Sequence, residues 1–152
     1  ELSEASIDPL PVQKPLELWF GGSLRGALRR VGQIGDGYIP GLSTPAEGAE
    51  KKALVEAAAS EFDRAIDAEH FGVNLSYSRG PLTEAARDAL VQRRPEADPN
   101  QLVPDSPHAL IEMIDAWIDA GYSKFLLRPV TVPPDWTEEL EQLASEVLGR
   151  QT

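Results

Sequence analysis

Leu16-Glu17-Leu18-Trp19-Phe20-Gly21-Gly22-Ser23-Leu24-Arg25-Gly26-Ala27-Leu28-Arg29-Arg30 decides the fold, because two kinds of structure meet inside it. An apolar run over 16–20 is rich in strand formers; two glycines halt it, a serine follows, and an Ala/Leu/Arg-rich segment takes up helical spacing. The spacing predicts strand, tight turn, helix. Backbone N–H groups at a helix start carry partial positive charge, and glycines let an anion come close, so such a turn suits a phosphate. Ser23 either caps the helix or donates its hydroxyl to that phosphate, and an ordinary capped turn fits the same residues.

Working outward, residues 1–15 carry Pro9, Pro11 and Pro15 and read as an extended lead-in to a domain over 16–152. The first helix is expected over about 23–34, with Leu24, Ala27, Leu28 and Val31 on one face. Gly35-Asp36-Gly37 is a turn, Tyr38-Ile39 a short second strand, and Thr44-Pro45-Ala46-Glu47 a helix start with cap, proline and acidic first turn. That helix continues through Leu54, Ala58 and Phe62, its Glu50, Lys51, Lys52 and Glu56 forming a solvated face. A third strand follows over 70–77, a helix over about 82–93, and a polar connection over 94–105. Ser106-Pro107 opens a helix through Leu110, Ile114, Trp117 and Ile118 that ends at Gly121. The fourth strand, 124–130, has a continuous apolar centre typical of burial on both faces, and an amphipathic helix over 136–148 closes the chain.

Strand and helix thus alternate four times, with one extra helix before the last strand, which implies parallel strands and right-handed crossovers. An open doubly wound α/β sheet and half of a (β/α)8 TIM barrel both fit. The linker at the start, and the glycines, prolines and arginines gathered just after strand ends, favour the half barrel.

Composition narrows the function. The 152 residues are 41% hydrophobic and 26% charged, ordinary for a globular domain, and 14 Lys+Arg against 25 Asp+Glu give a net charge of −11. Nucleic acid and anionic membrane are disfavoured as partners, while local arginines and amides still suit a small anionic ligand. No apolar run reaches membrane-spanning length, and Glu1-Leu2-Ser3-Glu4 lacks a signal-peptide layout, so a cytoplasmic protein is expected. Cysteine is absent, and His70 and His108 lack ligand spacing, so no metal is expected. Neither a glycosidase-type carboxylate pair nor a Gly-x-Ser-x-Gly elbow is present.

Trp19-Phe20-Gly21-Gly22-Ser23, read with Arg29-Arg30-Val31-Gly32 and Gly35-Asp36-Gly37-Tyr38-Ile39-Pro40, resembles the luciferase-like monooxygenase superfamily, and within it the oxidoreductases that use coenzyme F420. Pro11-Val12-Gln13-Lys14-Pro15-Leu16, Glu69-His70-Phe71-Gly72, Gly121-Tyr122-Ser123-Lys124-Phe125 and Leu126-Leu127-Arg128-Pro129 extend the likeness over about 10–148. The resemblance implies the C-terminal half of a (β/α)8 barrel, strands five to eight, with F420 or alternatively FMN lying across the mouth. It places the cofactor phosphate at Gly21, Gly22, Ser23 and the helix-start amides up to Gly26. The family's first four strands, which carry much of the ring pocket, have no counterpart here. The inward face and two strand edges therefore need a cover: a separate N-terminal half-barrel, a second copy of this chain, or further residues of a parent protein.

Arg128, at the end of the last strand, and Arg79, after the third, suit either an anionic substrate or cofactor phosphate, or a structural ion pair at the barrel rim. Asn74, Ser76 and Tyr77 alternate with Val73 and Leu75, so one set faces the barrel interior; Tyr77 lies nearest the mouth and is the expected contact. His70 and Asp36, at the opposite end, are expected to be structural, His108 a surface residue, and Trp117 part of the core. Of Trp19 and Phe20, one is expected in the core and one beside the cofactor.

The expected function is a flavin- or F420-dependent oxidoreductase that passes hydride between the reduced cofactor and a small organic substrate, with no catalytic residue identified. A non-catalytic half-barrel that dimerises or complements an N-terminal half, and an open α/β domain binding a phosphorylated metabolite, are the alternatives.

Overall fold

The computed structural model describes residues 8–150; the readings made on residues 1–7, including the start of the lead-in, and on 151–152 lie outside the described residues. In chain order the elements are β1 (Trp19–Gly21), α1 (Arg25–Ile34), β2 (Gly37–Ile39), α2 (Pro45–Glu61), β3 (Gly72–Tyr77), α3 (Glu84–Arg93), α4 (Pro99–Leu102), α5 (Pro107–Asp119), β4 (Lys124–Pro129) and α6 (Trp136–Val147). Single 3-10 turns cover Ala68–His70 and Leu148–Arg150.

All strand pairing is parallel: Trp19 lies opposite Gly37, and Gly72 through Tyr77 run in register with Lys124 through Pro129. A parallel bridge between Tyr38 and Phe71 links the two pairs, so the strands stand side by side in chain order. A doubly wound sheet reverses its order at a switch point, whereas a barrel adds each strand beside the last. The chain is half of a (β/α)8 barrel.

Strand alternation divides the side chains between two faces. Tyr38, Phe71, Val73, Leu75 and Tyr77 face the helices and form the core with Leu28, Val31, Val55, Leu110, Ile114, Trp117 and Tyr122, with Phe20 packed against it. On the other face lie Trp19, Gly37, Asn74, Ser76, Lys124, Leu126 and Arg128. That face is open. The expectation that strand four is buried on both sides is corrected accordingly: exposed and half-buried residues alternate along β4, and Leu126 is 53% exposed.

β1 is shorter than expected because Leu16 and Leu18 are half exposed, and Leu18 is held by the following turn instead of a ladder. Its amide donates to Asp36 Oδ2 at 2.9 Å and its carbonyl accepts from the Asp36 amide at 2.8 Å. Thr44 caps α2 as the sequence predicted, Glu47 completes a reciprocal capping box with it, and Ser106 caps α5. The polar connection over 94–105 contains the short helix α4, started by Asp98. Its Leu102 and Val103 are buried in a small second core with Leu82.

Candidate functional site

The β1–α1 turn is built from what its residues lack. Gly22 adopts φ +123°, and a Cβ there would stand 3.0 Å from the Ala27 Cβ, so a side-chain-free residue is required. The cap position falls on Leu24, which has no polar atom to offer, and Ser23 makes no cap bond. The reading of Ser23 as the helix cap is therefore corrected: the two glycines carry the chain one residue further before the helix begins.

The first turn of α1 then keeps its donors free. Ala27 and Leu28 amides donate to Leu24 O at 2.8 and 3.0 Å, while those of Ser23, Leu24, Arg25 and Gly26 meet no acceptor among the described residues. All four residues are exposed, and a Cβ on Gly26 would find nothing within 4 Å. Four unengaged amides, an unengaged hydroxyl, open space and the helix dipole form a donor set that fits a phosphate.

On the open inner face, Ser76 stands opposite Arg128 and Asn74 opposite Leu126, around a shallow cavity of about 340 Å³. The Arg128 guanidinium makes no ion pair or hydrogen bond among the described residues.

Tyr77 and Arg79 are placed differently. Tyr77 shares the helix-facing side with Val73 and Leu75, so the structure separates it from Asn74 and Ser76. Its hydroxyl donates to Glu139 Oε1 at 2.6 Å. Arg79 donates to the same carboxylate through Nε at 3.0 Å and Nη2 at 2.7 Å, and to Glu146 through Nη1 at 2.6 Å. The bonds from Arg79 outweigh desolvation and hold the Glu139 carboxyl below its usual range. Burial pulls the Arg79 guanidinium down, but its two carboxylate partners more than reverse that and raise it. Burial, reinforced by the Glu139 bond, pushes the Tyr77 phenol up. This cluster borders a cavity of about 300 Å³ with Pro129, Pro133 and Pro134 at the ends of β3 and β4. Glu139 is the residue that sequence reasoning missed; the available signal was an acidic pair, Glu139 and Glu146, seven positions apart on one face of α6.

His70 closes the turn before β3, with Nδ1 2.8 Å from Asp36 O, and Asp36 also pairs with Arg64 at 3.3 Å; both serve structure. His108 is exposed beside Glu112. Trp117 is buried in the core, as its spacing predicted. Phe20 packs toward Val31 across Gly35, whereas Trp19 lies on the inner face against Gly37 and Gly72, the first residues of their strands. Its ring therefore sits toward the barrel floor. Among the described residues no cluster of three or more His, Asp and Glu could hold a metal, and no helix is long and apolar enough to cross a membrane.

A sequence model of the luciferase-like monooxygenase family matches residues 1–125, and the chain belongs to that family. No curated protein matches by sequence. Among solved structures, the coenzyme F420-dependent tetrahydromethanopterin reductase from Methanopyrus kandleri superposes with a TM-score of 0.63 at 14% identity, over 91% of this chain and 52% of that one. An F420-dependent secondary alcohol dehydrogenase, solved with an F420–acetone adduct, gives 0.71 at 15% identity, over 99% and 53%. The oxygenating constituent of 3,6-diketocamphane monooxygenase from Pseudomonas putida, in complex with FMN, gives 0.54 at 16%, over 88% and 48%. The chain thus spans about half the length of the structures it matches.

Proposed function

We propose that this chain is the phosphate-holding half of an F420-dependent oxidoreductase, with FMN as the alternative cofactor. The observation that supports this most directly is the uncapped start of α1, four amides without an acceptor among the described residues, at the C-terminal end of β1 in a member of this family. When bound, the cofactor supplies hydride chemistry at its ring. The chain's own residues then have distinct tasks. Amides from Ser23 to Gly26 and the Ser23 hydroxyl bind the phosphate, while Gly21 and Gly22 keep the approach clear. Arg128, with Ser76 and Asn74 beside it, orients a small and preferably anionic substrate from the inner face. Tyr77 and Arg79 shape the rim of the mouth through Glu139.

Cover for the inner face comes from an N-terminal half-barrel or from a second copy of this chain. Exposure of that face also favours a second reading, a half-barrel that assembles without turnover of its own. Fluorescence and absorbance titration of the chain with F420, and separately with FMN, tests the first. Saturable quenching or a spectral shift with either is expected; no change with either at high-micromolar concentration overturns the cofactor reading for this chain.

A further inference from the structure

We infer that Tyr38 is a positioning residue for the cofactor phosphate: its hydroxyl holds the Gly22–Ser23 peptide so that the Ser23 N–H is presented to the anion. The inference rests on the reading that the β1–α1 turn holds a phosphate. Tyr38 lies in β2 opposite Phe20, with no exposed surface, and its hydroxyl donates to Gly22 O at 2.7 Å.

The carbonyl of Gly22 and the amide of Ser23 belong to one peptide unit. That unit is trans, since among the described residues only the bonds before Pro9 and Pro15 are cis, and in a trans unit C=O and N–H point in opposite directions. Drawing the carbonyl inward toward Tyr38 therefore turns the N–H outward, onto the exposed side of the turn. Glycine makes this hold necessary. Gly22, at φ +123°, lacks the Cβ that would otherwise restrict rotation of the unit that follows it. The donor is also durable: burial pushes the Tyr38 phenol up to about 12, so it keeps its proton at any pH where the protein works.

The test compares wild type with Tyr38→Phe for FMN against riboflavin, and for F420 against its deazaflavin chromophore without the phosphate-bearing tail. Wild type is expected to prefer the phosphorylated member of each pair. The variant is expected to lose about tenfold of that preference, the effect of a misdirected bond to a charged group, with riboflavin affinity unchanged. An undiminished preference in the variant overturns the role of Tyr38 and leaves the phosphate seat standing. A wild type without preference overturns the seat and the inference together. Should the variant fail to fold, amide resonances of the wild type decide: the Ser23 N–H moves downfield with FMN but not with riboflavin, and an unmoved Ser23 signal overturns the inference.

Discussion

Arg79 lies between two carboxylates and is itself only a quarter exposed, so its worth is set by what removal of a partner leaves behind. Glu139→Ala leaves the Tyr77 phenol without an acceptor and the Arg79 guanidinium with Glu146 alone, and should cost about 2–3 kcal/mol in urea unfolding, whereas Tyr77→Phe should cost about 1 kcal/mol. The pH dependence has a definite sign. Arg79 depresses the folded Glu139 value below the unfolded one, ~4.3, so the unfolded chain takes up the proton first. The stabilisation is full above that unfolded value and is lost as pH falls through the depressed folded one; Glu139→Gln should flatten this acid limb in unfolding curves below about pH 4. An ion pair was one of the two readings open for Arg79, but its partners could not be named from the sequence. Arg79 and Glu139 are 60 positions apart, and pairing over such a distance leaves no local pattern. Asn74 and Ser76 were legible as an inward-facing pair, but Tyr77 falls on the opposite parity, and its nearness to the mouth outweighed the two-residue period in the sequence reading.

At the scale of elements, two glycines set how closely helices approach. A Cβ on Gly48 of α2 would lie 2.2 Å from the Trp117 ring, and one on Gly32 of α1 would lie 2.5 Å from the Ala59 amide nitrogen. Helix propensity favours alanine over glycine by about 1 kcal/mol, but neither a buried indole nor a backbone can give way by the distance needed. Gly48→Ala and Gly32→Ala should therefore each destabilise by about 1–3 kcal/mol net, read from thermal or urea midpoints. The long helices were legible because their caps are local: Thr44-Pro45-Ala46-Glu47 and Ser106-Pro107 sit within one turn of the bonds they make. α4 was not, because a helix of four residues shows no period. The start of α1 was half legible. Its glycines announced a turn, but Ser23 looked like the cap that Leu24 turns out to be without a side-chain bond.

For the molecule as a whole, an open strand face and two strand edges unpaired among the described residues are the dominant fact. Leu126 is half exposed there beside Arg128, whose side chain has no partner among the described residues, and β1 and β4 each offer a ladder that no described residue occupies. Light scattering on the isolated chain should give a mass above one chain at tens of micromolar, and a stable soluble monomer would count against both a self-covering half and the large exposed edge. Parallel pairing was legible from the βα alternation, and the half-barrel order from the residues gathered after strand ends, whereas what covers the open face depends on contacts between surfaces that no local pattern in a sequence records. Trp19 gives that face one more property. Trp117 is already dry and Trp136 is half exposed on an outer helix, but the Trp19 indole, against Gly37 and Gly72, stands where a second half would arrive. Its emission is thereby tied to whether the ring of strands is complete, red-shifted while wet and blue-shifted once sealed, so the protein carries its own lamp for the moment of closure.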